Sequence, residues 1–110
     1  MKDCIFCDLV KSAVIQNEFA YMLWDKYPRS PGHCLIIPKR HSVDFFGTTL
    51  EEGVAMLELL NQAKSIVDEK HKPEGYNVLA NCGRAADQEV FHTHLHLIPR
   101  TKGDNLFGEK

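Results

Sequence analysis

Apolar and polar residues follow two different periods along this chain, and the change between them marks out the elements. From Thr49 to about His71 the apolar positions Leu50, Val54, Leu57, Leu60, Ala63, Ile66 and Val67 recur every three or four residues. That spacing predicts one long amphipathic helix with a single apolar stripe. Thr49 and Glu52 form a capping-box pattern at its start, and Pro73 and Gly75 end it. Elsewhere the apolar runs are short and extended. Val14 to Glu18 and Phe19 to Asp25 read as a hairpin turning around Asn17, His33 to Ile37 as a central strand bounded by Pro38, and Tyr76 to Cys82 and His92 to Pro99 as two further strands. Asp3 can cap a short helical turn reaching about Lys11. The strands lie mostly too close in sequence for crossover helices, so the expected fold is α+β: an antiparallel five-stranded sheet covered by one long helix, with a short N-terminal helix.

The 110 residues carry 13 Lys+Arg against 15 Asp+Glu, a formal charge of −2, with 44% hydrophobic residues. These values suit one small globular domain, 1–110, with its own core. No basic cluster offers a footprint for duplex nucleic acid or an anionic membrane, and no apolar run is long enough for a membrane helix. The N-terminus does not begin as a secretory signal, so a cytoplasmic location is expected. In a reducing compartment Cys4-Ile5-Phe6-Cys7 reads better as a metal half-site than as a disulfide element. A thioredoxin-like redox pair is disfavoured, since it should follow a strand and only three residues precede Cys4.

The sharpest chemistry lies in His92-Thr93-His94-Leu95-His96-Leu97-Ile98. In an extended chain, alternate residues share one face about 6.6 Å apart, so three imidazoles would line one groove. Such a row can supply a nucleophile, an acid and a phosphate binder, or alternatively ligate a transition metal. Asn81, Gln88 and Arg100 flank it. Cys34 and Cys82 read as small hydrophobes within strands, and His33 and His71 as solvated or capping residues.

These motifs resemble the histidine-triad (HIT) family, in its nucleotide-binding branch. The resemblance extends through Cys4-Ile5-Phe6-Cys7, Trp24-Asp25, Ser30-Pro31-Gly32-His33, Ile37-Pro38-Lys39-Arg40-His41 and Asn81 to Arg100. It implies a HIT-like fold, a homodimer whose sheets join, and a purine nucleotide such as AMP bound beside the triad. It implies that His94 attacks an α-phosphorus, giving a nucleotidyl-histidine that water resolves, with His96 on the phosphate oxygens and a backbone carbonyl holding the other nitrogen of His94. Asp25 would bind ribose hydroxyls, and Asn81 and Gln88 the phosphate. Phe6, Leu23 and Ile36 are candidates for the base slot.

The family's zinc-bearing members point to Cys4, Cys7, His41 and His92 as ligands of one structural zinc per chain. Three positions depart from the family pattern: Thr93 where an apolar residue is usual, Asp87 where glycine is common, and Glu89 where Ser or Thr is usual. The last two bring negative charge near the phosphate, with Arg84 or Lys39 as compensating cations. The implied activity is hydrolysis of nucleoside 5′-phosphoramidates. The alternatives are cleavage of dinucleoside polyphosphates, a non-catalytic purine nucleotide-binding module, or a metal-dependent enzyme using the triad as ligands.

Overall fold

Asn17 turns the chain by accepting two backbone hydrogen bonds on its side-chain oxygen, from Phe19 and Ala20, an Asx turn that closes a tight hairpin. In the computed structural model, which describes residues 4–107, this hairpin opens a five-stranded antiparallel sheet. Its strands are β1 (Ile15–Gln16), β2 (Ala20–Trp24), β3 (Cys34–Pro38), β4 (Gly75–Leu79) and β5 (Leu95–Arg100), in the order β1-β2-β3-β5-β4. The N-terminal helix α1 (Ile5–Asp8) continues as a 3-10 turn over Leu9–Ser12, and α2 (Leu50–His71) is the one long helix. Asp3, expected as the N-terminal cap, lies outside the described residues.

Alternation along the strands divides the core in two. Ala20, Met22, Cys34, Ile36 and Leu97 face α2 and meet Met56, Leu59, Ala63 and Val67. Tyr21, Leu23, Leu35 and Ile37 face the other way, where Phe6 of α1 covers them and the Tyr21 hydroxyl donates to the Phe6 carbonyl. Ile36, a candidate for the base slot, is therefore core under α2. The face carrying His96 is that of Leu35, its partner across β3 and β5.

Several boundaries shift from expectation. β1 has two residues, β4 ends at Leu79, and β5 begins at Leu95, so Cys82 lies beyond its strand and is half-buried. Cys34 is fully buried.

The capping box of α2 forms as expected: Thr49 accepts from the Glu52 amide and Glu52 from the Thr49 amide. The predicted apolar stripe holds in the second half of the helix, where Ala63 and Val67 are buried and Leu60 packs on the core, and is corrected in the first half, where Glu52, Ala55, Met56 and Leu59 are buried instead. Leu50, Val54 and Leu57 are 85%, 53% and 57% exposed. Small Ala55 and Ala63 let the helix approach the sheet, and Glu52 is buried as the partner of Arg40. That pair holds Glu52 below the usual carboxylate range and ties the Arg40 loop to the helix start.

Thr49→Ala removes one half of the cap and leaves both partners of the Arg40–Glu52 pair in place. It is expected to cost about 1 kcal/mol of unfolding free energy in urea titration, with the slope of the transition unchanged.

Candidate functional site

Each histidine of the triad takes its tautomer from a group that can only donate or only accept, directly for His92 and His94 and through His33 for His96. His92 and His94 precede β5 instead of lying within it, and only His96 is a strand residue. Thr93 between them is buried: its amide donates to the Ser42 carbonyl at 2.8 Å and its hydroxyl lies 2.6 Å from that of Ser42. A hydroxyl thus replaces the usual apolar residue because a second hydroxyl faces it. Phe6 packs edge-on against His92 and His94, with centroids 6.0 and 5.0 Å away.

The carbonyl of His92 lies 2.8 Å from Nδ1 of His94. A carbonyl accepts only, so the proton of His94 sits on Nδ1 and Nε2 keeps a free lone pair. Burial pushes the His94 imidazolium down, leaving the neutral, nucleophilic form.

His33 is the functional candidate that sequence reasoning misplaced. Instead of being solvated or capping, it is 2% exposed and its Nδ1 accepts the Arg29 amide at 3.0 Å. That amide only donates, so the His33 proton lies on Nε2, which donates to Nδ1 of His96 at 2.9 Å and faces Asp25 Oδ2 at 3.3 Å. His96 must then carry its proton on Nε2. Burial, then His94 and His33, push His96 down to about 4. His33 is lowered by burial against the opposing pull of Asp25. The signal was strand parity, since His33 shares its alternation with Leu35 and Ile37, the face of His96. Gly32, at φ +90°, permits the close approach below it, for a Cβ there would meet His71 at 2.8 Å and Val67 at 2.9 Å. His71 itself is exposed, as expected.

The other expected residues are placed unevenly. Asp25 sits beside His33 and its Oδ1 accepts the Tyr27 amide. Asn81 is half-buried with no side-chain partner among the described residues. Gln88 is 3% exposed, and its amide is spent inside the loop: Nε2 donates to the carbonyls of Val43 and Val90, and Oε1 accepts the Gly83 amide. In this arrangement Gln88 shapes the 83–91 loop. Asp87 adopts φ 69°, which explains why glycine suits that position. Glu89 is exposed and in no ion pair among the described residues. Arg84 does not compensate it and lies on the Phe91 ring.

Cys4, Cys7, His41 and His92 meet on the far side of His92. Their donor atoms stand at 3.2 Å (Cys4 Sγ to His92 Nδ1), 3.6 Å (Cys7 Sγ to His92 Nδ1), 3.7 Å (Cys7 Sγ to His41 Nδ1) and 3.2 Å between the two imidazoles. Tetrahedral zinc with ordinary bond lengths sets nitrogens about 3.3 Å apart and nitrogen from sulfur about 3.5 Å. The donor set therefore fits that ion. Nε2 of His92 lies 2.8 Å from the Pro38 carbonyl, which places its proton there and turns the Nδ1 lone pair toward the thiols. Asp25, His33 and His96 form a second cluster, but the Arg29 amide already occupies Nδ1 of His33, so its Nε2 is a donor and not a ligand.

Known proteins resemble this chain in sequence and in fold. The HIT domain family matches residues 9–103. The chain is 39% identical to an uncharacterized HIT-like protein of Mycoplasma genitalium over 96% of this chain and 78% of that one. It is 35% identical to the adenosine 5′-monophosphoramidase of Schizosaccharomyces pombe, covering 88% of this chain and 74% of the relative. A zinc-bound histidine triad family protein of Mycobacterium smegmatis superposes with a TM-score of 0.83 at 35% identity, over 96% of this chain and 80% of that one.

The lowered histidines make a thermodynamic prediction. His96 takes up a proton on unfolding once pH falls below about 6.5, so its contribution to stability is complete above that value and is lost as pH falls toward about 4. Thermal melts of the wild type should fall between pH 6.5 and 4, and His96→Asn should fall less steeply. Parallel profiles would reject this origin.

Proposed function

Because the chain belongs to the HIT domain family, we propose that it is a hydrolase of purine nucleoside 5′-phosphoramidates that works through a covalent adduct on His94. The observation that carries the reading is the pair of opposed tautomers: His94 presents a bare Nε2 and His96 a protonated one. In the first step Nε2 of His94 attacks the α-phosphorus. The phosphorus–nitrogen bond to the leaving amine breaks, and that amine takes up a proton from solvent, matched by the proton that the water of the second step gives up. In the second step water attacks the same phosphorus, the bond to His94 breaks, and the nucleoside monophosphate leaves. Dividing one displacement into two lowers the barrier of each.

His96 donates through Nε2 to the phosphoryl oxygens as charge builds on them, and His33 keeps that proton in place. Asp25 is assigned to the ribose hydroxyls and Asn81 to the phosphate oxygens, while Phe6 and Leu23 line the base slot. Glu89, exposed where a hydroxyl is usual in the family, is assigned to the side of the leaving group, where it disfavours an anionic one. That charge speaks for phosphoramidates over dinucleoside polyphosphates.

Cys4, Cys7, His41 and His92 are assigned to one structural zinc. All four tetrahedral positions are filled by protein, so such a zinc stabilises and takes no part in bond making. Its effect on the reaction is positional: it would hold the imidazole of His92, whose carbonyl holds His94. A homodimer is assigned to the β4 side of the sheet. β4 is an edge strand of five residues and β1, the opposite edge, has only two.

Two measurements test these assignments. Rapid quenching after mixing with adenosine 5′-phosphoramidate should give an adenylate-sized mass increase with turnover, both absent from His94→Ala. Folded wild-type protein that binds AMP and forms no adduct would move the reading to a nucleotide-binding module. Stripping the metal should lower kcat by about tenfold or more while AMP affinity changes little, as expected for loss of orientation; zinc should restore it. Equal loss of AMP affinity would mean that the metal supports the whole cleft.

A further inference from the structure

The first half of α2 is apolar on two sides, and only one of them is covered by the sheet. Leu50 and Val54 project outward at 85% and 53% exposure. With Phe19 and Ala55 they line a groove of about 420 Å³ between the helix and the β1–β2 hairpin. The floor is firm, for the side-chain amide of Asn17 donates to the Ala55 carbonyl at 3.0 Å and ties hairpin to helix. The rim is acidic: Glu18, Glu51 and Glu58 border the groove, and no lysine or arginine does. None of the three is in an ion pair among the described residues. A concave apolar surface rimmed by charge is the form an interaction site takes.

We propose that this groove docks a basic amphipathic segment of another protein, one or two apolar side chains entering between Leu50 and Phe19 and flanking lysines or arginines meeting the three glutamates. Charge decides among occupants. A second copy seated symmetrically here would bring the same three carboxylates against themselves, and an anionic membrane would be repelled by them. A helix in a groove with apolar anchors and complementary rim charge meets both requirements. The groove lies along the β1 edge, with β2, β3 and β5 separating it from β4 in the sheet, so it stays free under the dimer assigned above.

The test uses the full chain and two synthetic peptides with one helical leucine pattern, the first filled with lysine and the second with glutamate. In amide-resolved NMR titration the Leu/Lys peptide should shift residues 17–19 and 50–58, with little change at the histidines. Its affinity should fall about tenfold or more in Leu50→Asn and in a Glu51→Lys, Glu58→Lys double variant, and fall with added salt. Leu50 is mostly exposed, so its replacement leaves folding intact. Equal binding of both peptides, or shifts centred on His94 and His96, would overturn the proposal. So would a Leu50→Asn variant that sediments as a smaller species than wild type, since the occupant would then be a second copy.

Discussion

One buried imidazole carries three obligations at once. His92 turns Nδ1 toward two thiols and His41, gives the proton on Nε2 to the Pro38 carbonyl, and offers its own carbonyl to His94. Because that carbonyl can only accept, the orientation of His94 is inherited from the backbone of His92. Phe6 closes the arrangement: it stands in α1 between the two cysteines and packs on both rings. The metal-type donor set and the reactive face are therefore two sides of one residue.

The electrostatics follow from the same burial. Four imidazoles crowded into a water-poor face cannot all be charged, and desolvation is the leading cause holding His33, His92, His94 and His96 below the ordinary histidine value. Neutral rings still have direction, and the direction is imposed from outside the cluster. The Arg29 amide sets His33, His33 sets His96, and the His92 carbonyl sets His94. Asp25 faces His33 at 3.3 Å, and its pull upward on His33, His94 and His96, like that of Glu52 on His92, is smaller than the cost of burying their charge.

How much of this was legible in the sequence depends on whether a local pattern decides the outcome. Thr49 and Glu52 announce a helix start through bonds made within four residues, and the structure forms them. The antiparallel five-stranded sheet was readable from short apolar runs too close for crossovers. The buried side of α2 was readable only in its second half, through Ala63 and Val67: in the first half the sheet took Ala55, whose small side chain permits close packing, Met56 and Leu59, and Glu52, whose charge is answered by Arg40. His33 looked solvated or capping because its partners come from elsewhere in the fold: His96 from β5 and Asp25 from just past the end of β2. Gln88 looked like an anion binder because its amide could serve that end, and only the folded loop shows both hydrogens already used. The four donors Cys4, Cys7, His41 and His92 came from family resemblance, since spacing alone could not connect the cysteine pair to histidines 34 to 88 residues away.

The alternation that puts His96 on one face and Leu95 and Leu97 on the other also limits how this chain can vary. Removing or adding a single residue between Thr93 and Leu97 would exchange the two sets, burying an imidazole beneath α2 and presenting leucine to the cleft. Substitution can change that stretch one side chain at a time, but a change in its length breaks core and cleft together. Length polymorphism should therefore accumulate in the 101–107 turn and the 83–91 loop, where no opposite face depends on the count.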